Sequence, residues 1–171
     1  MIKTFFFILT LFAVADAQVL GDPAALMQRT FGSKSVQSQN IILTDLQLKE
    51  LSQSAQQKID TKLYRLYLAK NDTKTVGYGV LLNKKVRTKT AIVLYLIDTE
   101  GKIKSIEIVA FNEPLEYLPS KTWLDVFDNK NTSDTLRLNQ DIPTTTGATL
   151  SARAITDGAR MALALIEITK R

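Results

Sequence analysis

Apolar residues follow a helical period towards both ends of the chain and a two-residue period in between. Thr44-Asp45-Leu46-Gln47 is a capping box, and Leu48, Leu51, Ala55 and Ile59 continue it at helical spacing. This predicts a helix ending near Lys58 to Asp60. Upstream, Gln18 to Gln39 is loosely patterned, with a short helix expected over Pro23 to Phe31. Downstream the period changes. Tyr64, Leu66 and Leu68 alternate with Arg65 and Tyr67, Val76 to Leu82 carries Gly77 and Gly79, and Ala91 to Ile97 is an unbroken apolar run. Ile106, Ile108 and Ala110 then alternate with Glu107 and Val109. These segments predict an antiparallel meander of about four strands, with the Val93 to Ile97 run central and covered on both faces. Asp98-Thr99-Glu100-Gly101 is the turn between its last two strands. The glycines at 77 and 79 mark a bulge or a close approach of the backbone to another element.

The helical period returns near the C-terminus. A short helix is expected after Pro119, capped by Ser120, with Trp123, Leu124 and Phe127 on one side. A long one follows, in which Leu150, Ala154, Gly158, Met161, Leu165 and Ile168 recur at spacings of 4, 4, 3, 4 and 3. That is one apolar face directed at a core. Gly158 in mid-helix costs about 1 kcal/mol relative to alanine, which points to a close backbone contact there. The element order predicts an α+β fold, an antiparallel sheet packed by helices with a long C-terminal helix.

Thr144-Thr145-Thr146-Gly147-Ala148-Thr149 stands immediately before that long helix. Unpaired N–H groups and the positive end of the helix dipole favour phosphate at such a place, and a glycine lets the ligand approach the main chain. Thr146 is the expected N-cap, with Gly147 and Ala148 in the first turn and the Thr149 hydroxyl among the free amides. The same local pattern also fits an ordinary capped core helix.

Composition removes several chemistries. With no Cys and no His, the chain lacks thiolate nucleophiles, His-based triads, disulfides and zinc sites of the usual ligand sets. No carboxylates pair at a convincing spacing, so redox chemistry would have to come from a bound group. The N-terminus has the form of an export signal: Lys3, an apolar run from Phe5 to Val14, and Ala15-Asp16-Ala17 before Gln18. Residues 1–17 are therefore read as a leader and 18–171 as one domain, soluble in the periplasm or another extracytoplasmic space. Cleavage removes one basic and one acidic residue, so the net charge stays at +5. Export argues against a nucleic-acid partner, and the basic surface favours acidic redox partners or anionic headgroups. Lys84, Lys85, Arg87 and Lys89 form the one dense basic cluster, read as a solvated hairpin edge.

The run Thr146-Gly147-Ala148-Thr149-Leu150-Ser151, followed by Ala154-Ile155-Thr156-Asp157-Gly158, resembles the Ser/Thr-Gly-Ala-Thr motif of FMN-binding domains. Such domains occur in sodium-pumping and Rnf-type redox complexes and in a nitrous-oxide respiration protein. Gly77-Tyr78-Gly79, Asn112-Glu113-Pro114, Trp123-Leu124, Phe127 and Lys130 resemble further parts of the family pattern, so the likeness spans roughly residues 42–167. It implies FMN, attached through its phosphate to Thr149 by a flavin transferase. It also implies phosphate contacts from Thr146, Gly147, Ala148 and Ser151. Tyr78, Glu113, Tyr117 and Trp123 are candidates to line the ring, although Tyr117 and Trp123 equally suit core or rim packing. Flavinylated members usually carry an acid three positions before the motif; here Pro143 stands there, with Asp141 two residues upstream.

The resemblance implies an exported electron carrier whose partners are redox proteins, with a membrane respiratory complex among the candidates. Against it stand a non-redox ligand-binding module and a structural subunit of such a complex, each with the same fold and no flavin. An enzyme with its own substrate is disfavoured by the missing His and Cys.

Overall fold

The computed structural model describes residues 18–170; the expected leader, residues 1–17, lies outside the described residues. Ten elements follow in order: β1 (Gln18–Val19), α1 (Pro23–Phe31), β2 (Ser35–Ile42), α2 (Asp45–Ser54), β3 (Leu63–Asn71), β4 (Lys74–Lys85), β5 (Thr90–Asp98), β6 (Ile103–Phe111), α3 (Lys121–Leu124) and α4 (Thr149–Thr169). The strands form one antiparallel sheet in the order β1-β6-β5-β4-β3-β2. The expected meander is its centre, β3 to β6, and the sheet gains one further strand at each edge. The architecture is α+β.

The sheet is buried on both faces because β5 alternates between two cores. Val93, Tyr95 and Ile97 face the larger one, beneath α2, α3 and α4, while Leu94 and Leu96 face the smaller one under α1. Both glycines of β4 serve the second contact. A side chain on Gly79 would meet Met27 Sδ at 2.7 Å, and one on Gly77 would run into the Phe31 ring. The close approach expected there is therefore made by α1.

Gly158 plays the same part on the other face. Tyr95, fully buried on β5, lies against it, and its hydroxyl donates to the Ile155 carbonyl at 3.0 Å. Thr44 caps α2 with the expected box, Gln47 returning its side chain to the Thr44 N–H at 3.0 Å. Ser120 caps α3, accepting from the Trp123 N–H.

Several expectations need correction. The segment before Gln39 is not loose throughout, because β2 begins at Ser35; it is a mostly exposed, polar edge strand with little hydrophobic alternation to reveal it. Helix α2 stops at Ser54, where Gln56 adopts a left-handed φ of 53°, although Ile59 remains buried. In β6 the simple alternation fails. Pairing with β5 skips Lys104 and Val109, and each skipped residue shifts the face of those that follow, so Val109 joins the smaller core and Phe111 the larger. The apolar face of α4 holds from Ala154 to Ile168, but Leu150 at its start is 46% exposed.

Candidate functional site

The chain entering α4 is fixed up to Pro143 and open beyond it. The Asp141 carboxylate accepts the Leu136 and Arg137 N–H groups, both at 2.8 Å, with Lys130 Nζ at 3.7 Å. Burial works to raise this carboxyl, and the N–H groups of Arg137 and Leu136 outweigh it, holding it below the ordinary aspartate value. Ile142 is fully buried, and the Trp123 indole N–H donates to the Pro143 carbonyl at 2.8 Å. Thr144 to Gly147 follow as a surface segment. Gly147 turns the chain with φ +80°, and a Cβ there would meet nothing within 4 Å.

Helix α4 starts two residues later than a Thr146 cap requires. Ala148 is the N-cap, no side chain caps the helix, and the first helical bond runs from the Ala152 N–H to the Ala148 carbonyl at 2.9 Å. The amides of Thr149, Leu150 and Ser151 precede that bond and have no intrahelical acceptor. Thr146 is instead an exposed turn residue. The cause is Gly147, whose left-handed conformation breaks the helical path. The other α-helices begin differently, with Asp22, Thr44 and Ser120 capping α1, α2 and α3. Thr149, the first residue of α4, is exposed, its hydroxyl donating to the Thr145 carbonyl at 3.1 Å.

A cleft of about 220 Å³ lies at this helix start, lined by Arg87, Tyr117, Gly147, Ala148, Thr149, Leu150 and Ser151. The Arg87 guanidinium sits 4.2 Å from the centre of the Tyr117 ring. Ser151 is buried and donates its hydroxyl to the Tyr117 carbonyl, tying the segment after β6 to the first turn of α4. That hydroxyl is therefore occupied by the protein, and Ser151 offers a ligand only its main-chain N–H.

Thr149, Gly147, Ala148, Ser151 and Tyr117 are thus brought together, and the remaining expected site residues are not. Glu113 stands behind the cleft: Oε1 accepts the Thr88 N–H at 2.7 Å, the Lys89 N–H at 2.8 Å and the Thr88 hydroxyl at 3.2 Å. The Lys89 N–H foremost, with Thr88, holds this carboxyl below the ordinary glutamate value against desolvation. Trp123 is buried, packed edge-on against Phe127 at 5.3 Å, and anchors the loop instead of lining the cleft. Tyr78 is at the wrong end of the molecule. Lys170, just past the last residue of α4, lies 4.4 Å over its ring, and a helix of 21 residues is about 31 Å long.

Arg87 was missed as a site residue. Its basic cluster occupies the tip between two interior strands, β4 and β5, and not an edge; Lys85, Arg87 and Lys89 are exposed there and Lys84 half-buried. Only tertiary folding brings this tip to Tyr117, so no local signal marks it. Among the described residues, no group of acidic side chains is placed to hold a metal ion, and no helix is long and apolar enough to cross a membrane.

Comparison with known families gives one match: residues 88–164 fit the model of a family described as "FMN-binding domain". The matched segment runs from the hairpin tip through β5, β6 and α3 into α4, and so contains Glu113, Tyr117, Gly147 and Thr149. No curated protein and no solved structure matches the chain.

Proposed function

We propose, from the premise that residues 88–164 form an FMN-binding domain and that FMN is its cofactor, that this protein is an exported flavoprotein electron carrier with its flavin tethered at Thr149. The observation that carries this reading is the start of α4: a 21-residue helix with no side-chain cap, whose first residue presents an exposed hydroxyl. The residues there fit a phosphate. Three amides lack helical acceptors, the dipole is positive, and Gly147 leaves the main chain open to close approach.

Bound FMN supplies one- and two-electron redox chemistry, which this chain, without Cys or His, cannot provide from its side chains. The protein's part is to hold and orient. The Thr149, Leu150 and Ser151 amides would hold the phosphate, and the half-exposed Leu150 offers apolar surface beside them. Tethering requires a flavin transferase and a flavin dinucleotide. The Thr149 Oγ–P bond forms as the pyrophosphate P–O bond breaks, the hydroxyl proton passes to a base on the transferase, and the nucleoside monophosphate leaves. Export rests on the leader-like residues 1–17. An acidic redox partner suits the exposed cations of the hairpin tip, Lys85, Arg87 and Lys89, of which Arg87 lines the cleft.

A second reading, FMN held without the ester, is favoured by the entrance loop. Pro143 replaces the usual acid, and Asp141 is engaged with Leu136 and Arg137. Mass spectrometry of protein from its native host separates the two. The expected result is a gain of FMN minus one water on the peptide containing Thr149, lost in Thr149→Ala along with all flavin that survives denaturation. An unmodified peptide with reversibly bound FMN establishes the second reading. A protein that neither carries nor binds FMN overturns both, leaving a ligand-binding or structural subunit without flavin.

A further inference from the structure

We propose that Arg87, held over Tyr117 by the grip of Glu113 on the β4–β5 hairpin tip, is the charged anion-binding side chain of the α4 cleft, and that it makes the site select FMN over unphosphorylated riboflavin. The inference rests on the reading that the FMN phosphate sits at the start of α4. It begins with charge. A helix N-terminus offers the equivalent of about half an elementary charge, whereas a phosphate monoester carries nearly two negative charges at neutral pH. The amides of Thr149 to Ser151 therefore leave most of that charge uncompensated, and a guanidinium is the side chain best shaped to take the remainder through paired N–H donors.

Arg87 is the only cationic side chain lining the cleft, opposite Gly147, Ala148 and Thr149. Its charge is not consumed: among the described residues it has no ion pair, and its guanidinium rests on the Tyr117 ring. An arginine on a hairpin tip is ordinarily mobile, and here the tip is immobilised. Val86 is buried and its N–H donates to the Lys89 carbonyl at 3.0 Å, while Glu113 takes the Thr88 and Lys89 N–H groups from below. Glu113 and Tyr117 belong to one short segment after β6, and the Ser151 hydroxyl fastens that segment to α4. The contacts close a ring: Glu113 to the tip, Arg87 to Tyr117, and the Tyr117 carbonyl to Ser151 in the first turn of the helix. Because the carboxylate is directed at the Thr88 and Lys89 amides, it positions Arg87 without neutralising it. Glu113 is thus a positioning residue and Arg87 a binding residue.

The test uses unflavinylated protein, produced without a flavin transferase and titrated with FMN and with riboflavin at low ionic strength by flavin fluorescence. The wild type is expected to bind FMN at least about tenfold more tightly than riboflavin, the scale of one charge-assisted contact. Arg87→Ala should cut FMN affinity by about tenfold and leave riboflavin nearly unchanged, with Arg87→Lys retaining part of the preference. Glu113→Gln should lower the same ratio, with some loss of thermal stability at neutral pH from the weakened bonds to the tip, and should have no further effect on the ratio in the Arg87→Ala background. A purely structural role for Glu113 would weaken both flavins and persist in that background, which overturns the positioning role. An Arg87→Ala protein that keeps the full preference for FMN overturns the binding role. Failure of the wild type to bind FMN at all instead overturns the underlying reading of the site, and this inference with it.

Discussion

Gly147 and Gly158 show how one residue type carries two unrelated constraints. At Gly147 the constraint is the backbone: φ is +80° and an added Cβ meets nothing. Gly147→Ala should therefore cost about 1–2 kcal/mol of left-handed strain without a clash. At Gly158 the backbone is helical, where alanine gains about 1 kcal/mol of propensity. The Cβ, however, enters the space of the buried Tyr95 phenol, and overpacking of this kind costs about 1–3 kcal/mol. Tyr95 has nowhere to move, being fully buried with its hydroxyl bonded to Ile155. Overpacking should win, so Gly158→Ala lowers stability in chemical denaturation. Tyr95→Phe should restore part of the loss in that background, because the hydroxyl is the atom nearest the new Cβ. A Gly158→Ala protein more stable than the wild type refutes the packing account.

Among the elements, α4 binds the sheet and the site together, and its apolar face can be tested along its length. Leu165 is fully buried while Leu150, nominally on the same stripe, is 46% exposed. Leu165→Ala should lose about 2–5 kcal/mol, against less than about 0.5 kcal/mol for Leu150→Ala, both read from denaturation midpoints. Equal losses would mean that the start of the helix is packed like its middle. The contrast also shows what local pattern can convey. The box at Thr44 and the cap at Ser120 were legible because capping is settled within a few residues. So was the buried centre of β5, an apolar run with turns at both ends. The start of α4 was misplaced because Thr146 looks like a cap by type, and only the φ of Gly147 disqualifies it. Strand β2 is mostly polar and exposed, with Val36 and Ile41 as its only half-buried apolar side chains, too few and too far apart to show a two-residue period. Tyr78 lies by Lys170, at the far end of α4 from the cleft, and its glycine neighbours answer to α1, a placement that no local pattern marks. Arg87, Glu113 and Tyr117 meet only once the hairpin tip folds over the segment after β6, a placement that no spacing along the chain encodes.

At the scale of the whole molecule, pH should act through groups that bond in one protonation state. With no histidine in the chain, stability should be nearly flat across neutral pH. On the acid side the relevant groups are Glu113 and Asp141, which pin the hairpin tip and the loop before α4. Both have folded values below their ordinary ones. Their contribution is therefore complete above the unfolded values, about 4.3 and 3.9, and is lost as pH falls through the lower folded values. Since one holds the hairpin tip and the other the loop that leads into α4, acid should loosen these two segments before the sheet, and amide exchange there should rise first. Glu113→Gln removes one titrating group, so its stability should fall less steeply below pH about 4. The alkaline limb has a different origin. Burial pushes the Tyr64 phenol up to about 12 and raises Tyr95 well above its ordinary value, because the folded chain disfavours the phenolate. A group raised in the folded state contributes fully below its unfolded value, about 10 for tyrosine, and that contribution disappears as pH rises towards the folded one. Denaturation midpoints should accordingly decline between pH about 10 and 12, and Tyr64→Phe should shallow that decline while leaving the acid limb unchanged. An acid limb that Glu113→Gln does not alter would show that the carboxylate does not hold the hairpin tip, whatever its distance from the amides.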